Sequence, residues 1–282
     1  MKIISYNSTL SKKSKVITDL YNSPKWNPNI MVMLIKILNY VKIEESTIIN
    51  ILDQNKTATD EKIFSEILKL NFIPENMYGE ESDVKRAYGR LNRIKHHLTK
   101  HITSLLDMGG NVGTTAMIIG RKVYNLPKEK TLVVDIDEWA GNKWVPRDDI
   151  TFFHYNLMKK IPNDSIDLIT CFHNLHHIQT KEYPNIMKHF YRILSPDGCI
   201  VLYDHDCAQK EWAGIIDIEH ALYDVVVSKK IPYNKFVQTT HYAKYLGINK
   251  WKALFEKSGF KEYFTTELHN LDNSFYMFFR KA

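Results

Sequence analysis

The sequence predicts an α/β protein: a doubly wound, mostly parallel seven-stranded sheet with an antiparallel last strand, preceded by a small helical N-terminal region. Three observations predict it. After residue 103, short apolar runs (SLLDMGG, TLVVDID, ITFFHYN, IDLITCFH, GCIVLYDHD) alternate with helical or turn segments. Such alternation implies parallel pairing through right-handed crossovers. The first run ends in a glycine-rich turn that opens a helix at Thr114. At the far end KEYFTTELH and SFYMFFRKA, divided by NLDN, read as a hairpin-like antiparallel pair that closes the sheet.

Residues 1–80 form the predicted helical accessory region. From about Pro28 to Leu70 there is no glycine, and Ile30, Leu34, Ile37, Leu38 and Val41 repeat at helical spacing. Further apolar sets follow at Ile48, Ile49 and Leu52, and at Ile63, Ile67 and Leu68 behind a cap at Thr59 or Asp60. Three short helices of this kind suit a lid, a protein partner, a homodimer contact or a small nucleic-acid-binding unit. FIPENMYGEESD reads as a linker into the α/β domain, residues 81–282. Within that domain 85–101 is predicted as a basic amphipathic helix and 207–250 as a helical insertion or lid.

Composition bounds the class. The 282 residues are 44% hydrophobic and 25% charged, ordinary for a globular chain. No apolar run approaches the roughly 20 residues that span a bilayer, and Met31–Leu38 is interrupted by Lys36, so no membrane association is expected. The N-terminus lacks the apolar core of a secretory signal. Cys171, Cys199 and Cys207 lack metal-ligand spacing and read as free thiols in a reducing, cytoplasmic setting.

Charge is concentrated. The net +6 is matched by the stretch Lys85–His101, which carries Lys85, Arg86, Arg90, Arg93, Lys95 and Lys100 and no acid. Ala87, Leu91, Ile94 and Leu98 make one apolar stripe, and Arg86, Arg90, Arg93 and His97 repeat its spacing one residue earlier. A solvated flank on a packed helix accounts for this. So does an RNA-phosphate contact through Arg86, Arg90, Arg93 and Lys95.

The chemistry-bearing turn is SLLDMGGNVGTT. Asp107 ends an apolar strand, and Gly109, Gly110 and Gly113 let the backbone approach a ligand at a helix N-terminus. The second strand ends in Asp135, where a carboxylate can accept both hydroxyls of a ribose that lacks a 2′-phosphate. A nicotinamide dehydrogenase would need Gly-x-Gly-x-x-Gly, and the spacing from Gly109 to Gly113 differs.

From Ile102 to Ala282 this pattern resembles the class I (Rossmann-like) S-adenosylmethionine-dependent methyltransferase family. FFHYNLMKKIPNDSIDLITCFHNLHHI is similar to its third strand, loop and fourth strand, and YPNIMKHFYRILSPDGCIVLYD to its helix, glycine turn and fifth strand. The resemblance implies S-adenosyl-L-methionine as cofactor. It assigns Asp107, Gly109, Gly110 and Gly113 to the amino-acid end, Asp135 to the ribose and Asn156, after the third strand, to the adenine, with Ile136, Leu157 and Phe172 as further cofactor-binding residues. Two positions depart from the family pattern. Asn111 stands where the middle glycine is common, and asparagine tolerates left-handed backbone. Asn156 stands where an aspartate is frequent, and its amide oxygen can still accept.

Two clusters are candidates for the methyl acceptor's side. CFHNLHHI carries His173, Asn174, His176 and His177. YDHDCAQKEWAGIIDIEHALYD carries Asp204, His205 and Asp206, then Asp217, His220 and Asp224 on one face of a predicted helix. His176, His177, Asp204, His205 and His220 are the candidate positioning or base residues. His205, Asp206 and His220 also admit a metal reading, although no metal is assigned. Trp139, Trp144, Tyr203, Trp212, Tyr223, Tyr233 and Tyr242 are candidates to stack on a base, or core and lid residues.

The YDHD…DIEHALYD string also resembles segments of methyltransferase domains encoded by large DNA viruses, some associated with mRNA capping. That resemblance raises RNA as acceptor. The Lys-Asp-Lys-Glu tetrad of 2′-O transfer cannot be placed, so guanine-N7 suits the sequence better. Three functions are therefore carried forward: an RNA methyltransferase, a small-molecule methyltransferase with a helical lid, and a catalytically inactive methyltransferase-like binding subunit.

Overall fold

A computed structural model of the chain describes residues 80–98, 101–135, 148–207, 244–268 and 273–282, together with Asn50, Gln54 and Ile216. The chain divides into two compact units, residues 1–75 with 209–241 and residues 76–208 with 242–282. The first falls almost wholly outside the described residues, as do the predicted helices of 1–80 and most of the 207–250 insertion. The account below concerns the second.

Seven strands form one sheet: β1 (Leu105–Met108), β2 (Thr131–Asp135), β3 (Thr151–His154), β4 (Ile166–Phe172), β5 (Leu194–His205), β6 (Phe260–Thr265) and β7 (Ser274–Lys281). Their order is β3-β2-β1-β4-β5-β7-β6. The first five pair in parallel, while β7 lies antiparallel between β5 and β6. The doubly wound sheet with a reversed last strand is therefore present. The order steps outward from β1 in both directions, which puts the topological switch point between β1 and β4, where open α/β sheets bind ligands.

Both faces of the central strands are covered, as their near-continuous apolar runs require. Side chains alternate between two cores. Leu106, Ile169, Ile200, Leu202, Met277 and Phe279 join one with Phe190, Trp251 and Phe255. Leu105, Val133, Leu168, Val201 and Phe278 join the other with Ala87, Leu91 and Ile94. On the first face lie α3 (Tyr183–Ile193), started by Pro184 in its first turn, and α4 (Ile248–Lys257).

On the second face lies α1 (Glu80–Ile94). It begins earlier than the expected Lys85, because Glu80, Glu81 and Asp83 suit the positive end of a helix. It ends earlier too: Lys95–His97 form a 3₁₀ turn and Leu98 is extended. Ala87, Leu91 and Ile94 are buried as the stripe requires. The helix after the glycine turn, α2, is α-helical over Thr114–Ala116 and continues as π-helical turns over Met117–Val123. No signal in the sequence announced the π turns.

Candidate active site

The cofactor side is built at the carboxyl ends of β1 and β2. Asp107 is buried in β1, and its Oδ1 accepts the hydroxyl of Thr170 from β4 at 2.6 Å. The register that sets Asp107 opposite Thr170 makes this contact. Burial pushes the Asp107 carboxyl up to about 6, against the Thr170 hydrogen bond and the charge of Arg90. The chain then turns through Gly109 at φ +70°, Asn111 at φ +50° and Gly113 at φ +79°. Asn111 thus adopts the left-handed backbone that a glycine more often takes, and its N–H donates to Oδ2 of Asp135 at 2.7 Å. The two acids are bracketed by one turn.

The glycines let the turn pack directly against its own polar side chains. A Cβ on Gly110 would lie 2.7 Å from Oδ2 of Asp107, and one on Gly109 would lie 1.9 Å from the Asn174 amide. Asn174 Oδ1 is buried and has no hydrogen-bond partner among the described residues. Two carboxylates and one buried unsatisfied acceptor around a glycine turn suit a ligand with an ammonium group and a ribose. At the end of β3, Asn156 is exposed, with its N–H held by His154 Nδ1 at 3.2 Å. Leu157 follows on the same 3₁₀ turn, half-buried, and Phe172 closes β4 with Arg90 5.2 Å from its ring centroid.

A second polar cluster is built at the ends of β4 and β5. His176 is fully buried. Its Nδ1 lies 2.7 Å from Asp204 Oδ1, and its Nε2 lies 3.0 Å from Nε2 of the half-buried His177. When Asp204 is ionised, His176 donates from Nδ1. Its Nε2 must then accept, so His177 donates from Nε2 and carries its lone pair on Nδ1. Asp204 Oδ1 also takes the backbone N–H of His205 at 2.7 Å. Burial raises the Asp204 carboxyl to about 7, opposed by His205 and His177. His205 Nδ1 lies 3.1 Å from the hydroxyl of Ser274 on β7.

Aromatic rings line this cluster. His173, held at φ +52°, stacks on Tyr203 at 4.0 Å and on His205 at 4.2 Å. Tyr203 stacks in turn on Tyr276 at 4.2 Å. Strand register produces the row, since Phe172 pairs with Tyr203 and Tyr203 with Tyr276.

The sequence matches a family model described as a methyltransferase domain over residues 60–263. The chain belongs to the methyltransferase-domain family. No curated protein matches it. Among solved structures it is similar to a SAM-dependent methyltransferase from Archaeoglobus fulgidus, at 14% identity and TM-score 0.48, over 70% of this chain and 94% of that one. A Pyrococcus horikoshii OT3 protein matches at 16% identity and TM-score 0.50, over 73% and 93%. The mitomycin 7-O-methyltransferase MmcR matches at 14% and TM-score 0.50, over 79% of this chain and 58% of that one. The two likenesses at TM-score 0.50 show the fold. S-adenosylmethionine is the cofactor that membership implies, and the Asp107–Asp135 cradle fits it.

In this methyltransferase the tertiary structure gathers Asp107, Gly109, Gly110, Gly113 and Asp135 at one turn, and His176, His177, Asp204 and His205 at another. Ile136 and His220 lie outside the described residues, as do the named aromatic residues other than Tyr203. Of the four cations assigned to RNA, Arg86 pairs with Asp83 and Lys95 Nζ donates to Asn92 at 3.0 Å, both exposed. Arg90 is half-buried beside Phe172, and Arg93 is exposed. Among the described residues no three His, Cys, Asp or Glu groups are placed to hold a metal ion, and no helix is long and apolar enough to cross a membrane. Sequence reading missed Thr170, Ser274 and Tyr276, which only strand pairing brings to the site. Asn174 was read with the acceptor string and instead covers Gly109.

Proposed function

We propose that this protein transfers the methyl group of S-adenosylmethionine to a proton-bearing oxygen or nitrogen of a small acceptor, with His177 as the base. The Asp204–His176–His177 chain of hydrogen bonds carries this reading. S-adenosylmethionine supplies an electrophilic methyl group on a sulfonium, and an acceptor with a proton to lose needs a base at the moment of attack. His177 Nδ1 takes that proton. The imidazolium so formed keeps its Nε2–H on His176, whose ring is fixed by the buried Asp204 carboxylate. Asp107 and Asp135 bind and orient the two polar ends of the cofactor, and Asn156, Leu157 and Phe172 bound its adenine. The stacked rings of His173, Tyr203 and His205 form one flat wall of this cluster, against which an acceptor would lie.

A second reading, an RNA acceptor, is favoured by the exposed cations Lys85, Arg86, Arg93 and Lys95 of α1 and the turn that follows it. Guanine-N7 transfer, which needs no base, gains nothing from the relay; an acceptor with a proton does.

Transfer of labelled methyl to a panel of phenols, hydroxy acids and amines, run beside capped and uncapped RNA, tests both readings. Turnover of a small acceptor that His177→Gln slows while S-adenosylhomocysteine affinity holds is the expected result. Turnover of RNA alone, with affinity lost when Lys85, Arg86 and Lys95 are changed together, would replace it with the second reading. Cofactor binding without transfer to either class would assign a non-catalytic binding subunit.

A further inference from the structure

We infer that Asp204 is the group on which the abstracted proton comes to rest, and not only the group that fixes the His176 ring; the inference rests on the reading of His177 as base and adds the proton's destination to it. Asp204 stands in a dry place. Ile200 and Leu202 of β5 join one core with Trp251 and Phe255, and Asp204 continues their face of the strand, paired with Phe275 of β7. The residue is fully buried. Its Oδ1 makes both of the carboxyl's hydrogen bonds, with His176 Nδ1 at 2.7 Å and with the His205 N–H at 2.7 Å. Oδ2 is buried and has no partner among the described residues.

The ionisable groups around it are weak ones. β4 brings Cys171, a thiol pushed well up and acted on by Asp107 as well. The turn brings His173, His176 and His177, β5 brings His205, and Tyr245 sets its ring 5.1 Å from His176, next to the exposed Lys244. Among the described residues no lysine or arginine pairs with Asp204. An ionised carboxylate here keeps one oxygen away from both water and donors, which is costly. A buried ion pair with a His176 imidazolium leaves the same oxygen unpaired. Protonated on Oδ1, the acid donates to His176, and Oδ2 becomes an uncharged carbonyl oxygen. Burial accordingly raises the carboxyl to about 7, close to the ordinary imidazole range.

The hydrogen bonds supply the path. The acceptor's O–H or N–H bond breaks, its electron pair goes to the new bond with the methyl carbon, and the pair of the broken carbon–sulfur bond stays on sulfur. The proton forms an N–H bond at His177 Nδ1. The Nε2 proton of His177 crosses 3.0 Å to His176 Nε2, and the Nδ1 proton of His176 crosses 2.7 Å to Asp204 Oδ1. Both rings end neutral, each in its other tautomer. One carboxylate charge has been neutralised by one proton, and the reverse shifts return that proton to water once product has left.

Infrared spectra and NMR of the histidine ring nitrogens test this without an acceptor, on the protein with S-adenosylhomocysteine titrated from alkaline to acid. The expected result is a protonated-carboxyl band that grows in near pH 7 and is lost in Asp204→Asn. The His176 and His177 signals should exchange between neutral tautomers over the same range. In Asp204→Asn the proton should appear instead as an imidazolium at His177. Should that variant not fold, a band of isotope-labelled aspartate that survives in cofactor-free Asp107→Asn assigns it, because Asp107 is the other carboxyl that burial raises among the described residues. Absence of an Asp204 band, whichever histidine then takes the charge, would overturn the inference and leave Asp204 a positioning residue. Failure of the base reading looks different: His177→Gln would leave turnover unchanged, or no small acceptor would be methylated, whatever the band does.

Discussion

The two halves of the site are made in different ways. The cofactor half is one turn: Asp107, Gly109, Asn111 and Gly113 are near neighbours in sequence, and Asp135 reaches back to the same turn. The acceptor half is assembled from β4, β5 and β7, and its groups bind one another: Asp204 to His176, His176 to His177, His205 to Ser274. In the first half glycine makes room and carboxylates wait for a ligand. In the second the polar groups bind one another, His177 joining the buried His176–Asp204 pair through Nε2.

The sharpest way to break that contrast is Asp204→Asn. It removes the group that fixes the His176 ring, so turnover is expected to fall by about 10²–10⁴, the usual worth of a positioned base. Affinity for S-adenosylhomocysteine should hold, as measured by calorimetry. A parallel loss of affinity would mean that the halves are not separable.

The pH dependence of Asp107 is next. Its folded value is raised by burial from 3.8 to about 6, so the stability it contributes is fully present below pH ~4 and is lost as pH rises through about 6. The shift corresponds to about 3 kcal/mol. Melting of the cofactor-free protein should therefore fall between pH 4 and 7, and Asp107→Asn should remove this group's share of the fall while abolishing cofactor binding, leaving the share of Asp204, which burial raises to about 7. Because an ammonium favours the ionised carboxylate, cofactor binding near pH 6 should release a proton, visible as a buffer-dependent heat. Stability that is flat in wild type over this range would remove the argument that Asp107 is held ready for a cation.

Asp135→Ala should cost about 100-fold in S-adenosylhomocysteine affinity, the loss of charged hydrogen bonds worth about 1.5–3 kcal/mol each. Turnover at saturating cofactor should change little. The smallest effect is structural. Gly109→Ala places a Cβ on a left-handed residue, about 1–2 kcal/mol, and drives it into Asn174. Adding Asn174→Gly should relieve the collision and leave the backbone cost, which thermal melts of the two variants would resolve.

Legibility followed sequence distance. The glycine turn, the strand-end acids and the alternation of strands and helices could be read because each lies within a few residues of chain. The histidine string and the Asp204–His205 end were visible as ionisable density, but their connection was not, since His176 and Asp204 meet through β4–β5 pairing. Ser274 and Tyr276 carried no signal at all: they arrive by the antiparallel insertion of β7 next to β5. Arg90 shows the same limit from the other side. Its spacing suited a solvated basic flank, and packing of α1 on the sheet set its guanidinium over Phe172 instead.

The sequence by itself determined the fold class, the family pattern and the cofactor turn. Hydrophobic period, glycine backbone freedom and strand-end acids are local properties that survive in any one-dimensional reading. Only the tertiary structure decided which histidine bonds to which acid, how far burial lifts Asp107 and Asp204, and which arginine lies over Phe172. Those depend on desolvation and strand register, which exist only once distant segments are packed together.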